Sequence, residues 1–198
     1  TFDGIVMASP ATVAKKIIAK EIIPEYIADF IKTQKYVANL HATYLVDQED
    51  VKDLLAYYYP CGKWKTPIAA IVLHKIKAPN SIKAPADKEL ISVYLLDNPT
   101  KEFLNEPKEM VLNKVWEMAR TFEPLLPEKC EFIELFIRKE AIPLHEVGRY
   151  KLADKINKNQ KGNLVFAGDY LSCATVEGAL RSGRWAANKL MNKNSVTF

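Results

Sequence analysis

Apolar positions recur along this chain with two spacings, and each change from one to the other marks an element. Phe2 to Ala8 reads as a strand halted at Pro10, which has no N–H to offer a ladder, and Ala11 to Lys20 then takes up helical spacing. Pro24 to Thr33 is a second short helix, with Pro24 tolerated in its first turn. Tyr36 to Val46 is the best long strand, rich in Tyr, Val, Leu and Thr. A polar residue every few positions predicts that one of its faces meets something other than a dry core. Ile68 to Lys77, Leu90 to Leu96 and Phe132 to Arg138 are further strands. Asn105 to Phe122 is the clearest helix, capped by Asn105 and stopped by Pro124 and Pro127, with Val111, Leu112, Val115, Trp116, Ala119 and Phe122 as its buried stripe. Pro79 to Lys88 reads as a loop and Lys155 to Gly162 as a polar lead-in. Grouped strands without a steady strand–helix alternation predict an α+β layer, a mixed or antiparallel sheet with helices to one side.

The final segment has a different order. Leu164 to Ala167 is a short apolar run fit for a fully buried strand, and Gly168 lets the backbone turn beside a ligand with no side chain in the way. Asp169 is left at the strand's carboxyl end, where an acceptor reaches ligand hydroxyls. A helix follows, with Val176, Ala179, Leu180, Gly183, Ala187 and Leu190 on one face and Ser182 and Gly183 small enough for close packing. The free N–H groups of its first turn would be aimed at an electron-rich ligand edge.

Composition narrows the classes. The chain has 198 residues, 48% of them hydrophobic, enough to bury a core in one or two domains. No apolar run is long enough to span a bilayer, and no signal peptide is visible at the start, so cytoplasm is the expected location. The net charge of +4 comes from scattered Lys mixed with Asp and Glu, which argues against nucleic-acid binding. Cys61, Cys130 and Cys173 are far apart, and His41, His74 and His145 lack ligand spacing, so no metal or disulfide framework is expected. The aromatic group from Tyr57 to Trp64 is read as core and rim packing.

The run from Leu164 to Leu190, of the form apolar strand, A-G-D, several residues, E-G-A, two residues, S-G, two residues, A-A, resembles the C-terminal FAD-binding segment of the flavin amine oxidase superfamily. That superfamily includes monoamine oxidases, protoporphyrinogen oxidases and carotenoid desaturases. Phe2 to Pro10 is similar to the family's late FAD-domain strand, with Ser9 where Thr is commoner. Tyr36 to Asp47 is similar to a family strand in which His41 takes the place of a lysine that reaches the flavin through a water. Arg138 to Tyr150 resembles a protoporphyrinogen-oxidase-like crossover past the substrate cavity, with Lys139 where Trp is frequent.

The resemblance implies an FAD-dependent oxidoreductase that dehydrogenates a largely apolar substrate. It implies cofactor contacts at Gly168, Asp169, Ala174, Thr175, Val176 and Ala179, substrate contacts at Pro143 and Tyr36, and His41 as the candidate catalytic group; no metal is involved. It divides the chain into a late FAD-domain strand (1–10), a substrate domain (11–145) and a returning crossover, strand and helix (146–198) of an incomplete Rossmann-like FAD domain. With seven Gly and no G-x-G-x-x-G, the pyrophosphate cradle is not in this polypeptide. The expected partner is therefore a missing N-terminal FAD-binding half, in cis or in trans, without which the chain is inactive; a homodimer and a peripheral membrane contact stay open. The alternative is a non-catalytic binding module of the same fold that has lost the cofactor.

Overall fold

The computed structural model describes residues 2–60, 66–80, 84–160 and 162–191. In chain order these form β1 (Ile5–Met7), α1 (Ala11–Ile17), α2 (Glu25–Thr33), β2 (Lys35–Asp47), β3 (Tyr57–Tyr58), β4 (Ile68–Leu73), α3 (His74–Lys77), β5 (Lys88–Leu95), α4 (Asp97–Glu102), α5 (Lys108–Phe122), β6 (Glu131–Leu144), α6 (Arg149–Asn159), β7 (Leu164–Phe166) and α7 (Val176–Leu190), with short 3₁₀ turns between some of them. Packing groups them into two compact units, Thr1–Tyr36 with Ile142–Phe198 (unit 1) and Val37–Ala141 (unit 2). The packing thus divides at 36/37 and 141/142, not at 10 and 145: α1 and α2 cluster with the chain's end segments. No described helix is long and apolar enough to cross a membrane.

Unit 2 is built on a five-stranded sheet in the order β3-β4-β5-β2-β6. The β3–β4, β4–β5 and β5–β2 pairs are antiparallel, which resolves the choice between a mixed and an antiparallel sheet along those strands. Alternation along β2 sends Leu40, Ala42, Tyr44 and Val46 into the core and His41, Thr43 and Leu45 to the other face. The α5 stripe of Val111, Leu112, Val115, Trp116 and Ala119 covers the core side. Tyr44 ties the layers: its ring lies 4.7 Å from that of Trp116, and its buried hydroxyl donates to the Leu112 carbonyl at 2.9 Å. Burial also pushes the neighbouring Cys130 thiol up to about 11, the behaviour of an inert packing cysteine.

Several element ends depart from the sequence expectation for identifiable reasons. The strand expected over 68–77 stops at Leu73, because the buried Glu89 carboxylate accepts the Lys75 N–H at 2.7 Å and the Ile76 N–H at 3.1 Å and so draws the chain into α3. The helix expected from Asn105 begins at Lys108, with Pro107 in the capping position and no side-chain cap. The strand placed at 132–138 runs on as β6 through Pro143, so the expected crossover is largely strand. Strand β3 and helix α4 were not expected; α4 places Asp97 and Thr100 where they accept the Ala38 and Leu40 N–H groups of β2 at 2.6 and 3.0 Å. The 61–65 part of the aromatic group, with Cys61 and Trp64, and the 81–83 part of the expected loop lie outside the described residues.

In unit 1, β1 pairs parallel with β7, Ile5 opposite Leu164 and Met7 opposite Phe166. Strand β7 is buried on both faces, as its unbroken apolar run predicts. Phe166 packs with Ala11, Ala14, Ile27, Phe30 and Ile156, while Val165 and Ala167 meet Ala186 of α7. The expected polar lead-in at 155–162 is mostly α6, and its C-terminal Gln160 is buried. The Gln160 side-chain amide accepts the Phe166 N–H at 2.5 Å and donates to the Phe166 carbonyl at 3.2 Å, acting as one more rung of the ladder. Arg149 at the start of α6 is also buried. Its guanidinium donates to Phe30 O, Thr33 Oγ1 and Gln34 Oε1 at 2.5, 2.9 and 3.0 Å, closing the C-terminus of α2 where a positive charge is favoured.

Candidate functional site

In unit 1 the carboxyl end of β7 leads into Gly168, whose φ of 154° suits a residue without a Cβ, since one placed there would lie 2.4 Å from the Tyr170 ring. The Gly168 N–H donates to the buried Ser182 hydroxyl of α7 at 2.9 Å, fixing the turn against the helix. Asp169 opens the following 3₁₀ turn, Asp169–Leu171. Its carboxylate makes no ion pair among the described residues, and partial burial holds its pKa above the usual carboxylate value. Two buried polar atoms beside this turn, Tyr170 Oη and Asn157 Oδ1, lack a hydrogen-bond partner. An open hollow of about 280 Å³ borders it, lined by Asn157, Leu171, Ser172, Cys173 and Arg181 among others.

Thr175 is the N-cap of α7, its Oγ1 accepting the Gly178 N–H at 3.0 Å. Its own N–H, expected to face a ligand, donates to Cys173 O at 2.7 Å, so among the described residues the first-turn donors left over are those of Val176 and Glu177. Gly178 is where backbone approaches backbone: a Cβ there would come within 1.9 Å of Cys173 O. Gly183, expected to allow such an approach, has open space around it.

The expected buried stripe of α7 is also displaced. Gly178, Ser182 and Ala186 face inward, Val176 is 80% exposed, Leu180 is 65% exposed and Ala179 is exposed. Gly168, Asp169, Ala174, Thr175, Val176 and Ala179 are thus brought together at one strand–turn–helix corner. Tyr36 packs in the same unit, its hydroxyl accepting the Ala11 N–H at 2.9 Å, and Pro143 is buried near the end of β6.

His41 belongs to unit 2, on the sheet face away from α5. Its ring stacks on Tyr94 at 4.5 Å and on Phe136 at 6.0 Å, with the Arg138 guanidinium 4.8 Å from the Phe136 ring. Burial, then His74 and Arg138, lower the His41 pKa, and Glu134 acts the other way. The sequence reading singled out His41 alone. Ser92, which bonds both His41 and His74, carries no local signal as an ordinary strand serine, and His74 was considered only for metal-ligand spacing. Among the described residues no group of His, Cys, Asp and Glu could hold a metal ion.

The family profile of flavin containing amine oxidoreductases matches residues 1–191. Solved structures agree at the level of fold. A protein assigned as a protoporphyrinogen oxidase from Exiguobacterium sp. 255-15 aligns at 12% identity with a TM-score of 0.71, over 96% of this chain and 41% of that one. Putrescine oxidase bound to putrescine aligns at 13% with 0.68, over 96% and 43%, and reduced UDP-galactopyranose mutase at 10% with 0.67, over 97% and 41%. No curated protein sequence matches. The chain spans less than half the length of these solved structures, and across almost all of its own length it belongs to the flavin containing amine oxidoreductase family.

Proposed function

We propose that this chain forms the substrate-domain and flavin-edge part of an FAD-dependent oxidoreductase acting on a largely apolar substrate, and that it depends on a nucleotide-binding half, in cis or in trans, for activity. The carrying observation is the corner from β7 through Gly168 and Asp169 into α7. Among the described residues its features fit a polyol-phosphate and a flat polar ring edge: a carboxylate without an ion pair, buried polar atoms without partners at Tyr170 and Asn157, and two backbone donors left over at the start of a helix. FAD, when bound, supplies the hydride-accepting chemistry.

The chain's own residues supply position and charge. Asp169 accepts hydrogen bonds from ligand hydroxyls. Gly168 and Ala174 keep the approach clear of bulk, Thr175 holds the helix start, and the Val176 and Glu177 N–H groups face developing negative charge, with Ala179 one turn further on. His41 holds and moves a proton, and Tyr36 and Pro143 are the proposed substrate contacts. The exposed apolar residues of α7 and of β1, where Ile5 is 48% exposed, support a covering half that carries the missing cradle.

Titration of FAD with the purified chain, followed by flavin fluorescence, tests this reading. At most weak quenching is expected from the chain alone, and saturable quenching from a form carrying its upstream sequence, weakened about tenfold in Asp169→Ala, the worth of one charge-assisted hydrogen bond of roughly 1.5 kcal/mol. Absence of binding by the chain and also by a form carrying its upstream sequence would instead make it a binding module without cofactor.

A further inference from the structure

On the outer face of the unit 2 sheet a single buried hydroxyl stands between two imidazoles. Ser92 of β5 is 1% exposed and lies opposite Thr43 on β2 and Val72 on β4. His41, opposite Tyr94, reaches it diagonally, Nε2 to Oγ 2.9 Å. His74, where β4 gives way to α3, reaches it from the other side, Nε2 to Oγ 2.8 Å. Thr43 Oγ1 lies 3.2 Å from the same His41 nitrogen. A hydroxyl owns one proton, so it donates to one imidazole and accepts from the other. The two neutral rings must therefore be opposite tautomers, one carrying Nε2–H and the other a lone pair there. Neither Nδ1 has a hydrogen-bond partner among the described residues.

We propose that His41, Ser92 and His74 form a proton wire across this sheet face, with His41 as the end that meets the reacting group and His74 as the end that meets water. This rests on the reading of His41 as the site's acid–base group. In one passage a proton binds His41 Nδ1, the His41 Nε2–H bond breaks as a new Ser92 Oγ–H bond forms, the original Oγ–H proton passes to His74 Nε2, and His74 Nδ1–H is lost to water. One proton crosses, no electrons move, and both rings end in the other tautomer.

The surroundings suit that traffic. Stacking between Tyr94 and Phe136 holds the His41 ring by its faces, so protons move while the ring stays. Thr43 accepts from His41 Nε2–H in one state and donates to its lone pair in the other. The charged groups facing the wire are Arg138 and Glu134 from β6, Lys77 from α3 and Glu89 from β5. Burial lowers the pKa of both rings, helped by His74 and Arg138 at His41 and by Lys77 at His74, which favours the neutral imidazoles the wire needs.

Side-chain ¹⁵N NMR of the histidines in the 198-residue chain, from pH 5 to 8, reads the wire without any cofactor. Opposite tautomers and coupled titration of His41 and His74 are expected. Ser92→Ala should uncouple them with circular dichroism unchanged, and His74→Gln should raise the His41 pKa by removing a like charge. Identical tautomers, independent titrations or indifference to Ser92→Ala would overturn the wire. The reading beneath it fails separately: if the coupling is present but Ser92→Ala leaves the pH profile of turnover unmoved in the flavin-loaded protein carrying its upstream sequence, His41 is not the acid–base group and no proton is delivered through it.

Discussion

In unit 2 the large apolar side chains of β2, β4, β5 and α5 cover one another completely, Leu40, Ile71 and Val115 among them, whereas in unit 1 helix α7 turns Gly178, Ser182 and Ala186 inward and leaves Val176 and Leu180 outside. The first arrangement is an ordinary core of large residues, with the buried carboxylate of Glu89 held by backbone N–H groups. The second is inverted: Gly178 admits the Cys173 backbone, Ser182 holds the Gly168 N–H and Ala186 packs on Val165 and Ala167, while the bulk is directed elsewhere. Among the described residues, the outward face of this helix, with Val176 and Leu180, has no apolar cover.

The comparison can be broken at its strongest point first. Trp116→Ala empties the centre of the unit 2 core and should cost about 4 kcal/mol, read as a lowered urea midpoint. Hydrogen exchange should locate the loss in β2, β4, β5 and α5 and leave β7 protected; loss spread evenly through both units would contradict two separate cores. Gly178→Ala drives a methyl into Cys173 O and should cost about 3 kcal/mol, this time exposing β7 and α7 to exchange.

Acid should act on both units. His41, His74 and His145 all have pKa values lowered from 6.5, burial being the first cause in each. The unfolded chain therefore takes up protons first. Stability is complete above pH 6.5 and falls as pH drops from there toward the folded values, so the thermal midpoint at pH 5 should lie below that at pH 7.5. A midpoint that rose on acidification would refute the burial of these rings.

Leu180→Ser is the smallest change expected, within about 0.5 kcal/mol for the isolated chain because the side chain is already in water. It should nonetheless weaken association with the proposed nucleotide-binding half in a pull-down. A cost in the isolated chain comparable to that of Gly178→Ala would mean that the face is covered by the chain itself.

What was legible in the sequence follows the range over which each determinant acts. Strand β7 and the α5 stripe were readable because their periodicity is local, and Gly168-Asp169 because turn chemistry is local too. The end of β4 was not, since it is set by Glu89 fifteen residues beyond His74, a carboxylate whose capping role appears only when β5 lies alongside. Helix α6 was missed because its polar stretch hides the purpose of Gln160 and Arg149, whose partners sit on β7 and α2. The α7 stripe was misplaced by one face for a related reason: hydrophobicity marks which residues seek cover, while Gly178 and Ser182 mark where the chain already provides it. His41 was singled out by resemblance, but its link to Ser92 and His74 depends on cross-strand register, and register is not written in any single strand.

The pairing of β1 with β7 has a consequence for the order of events during synthesis. Ile5 must wait for Leu164 before its ladder can close, and the loop so formed encloses all of Val37–Ala141, a contiguous stretch whose own core needs nothing from outside it. On a ribosome the enclosed sheet can therefore assemble before β7 is available to pair with β1. The closure of β1 on β7 then has a reduced entropic cost, because most of the intervening chain has already been drawn in.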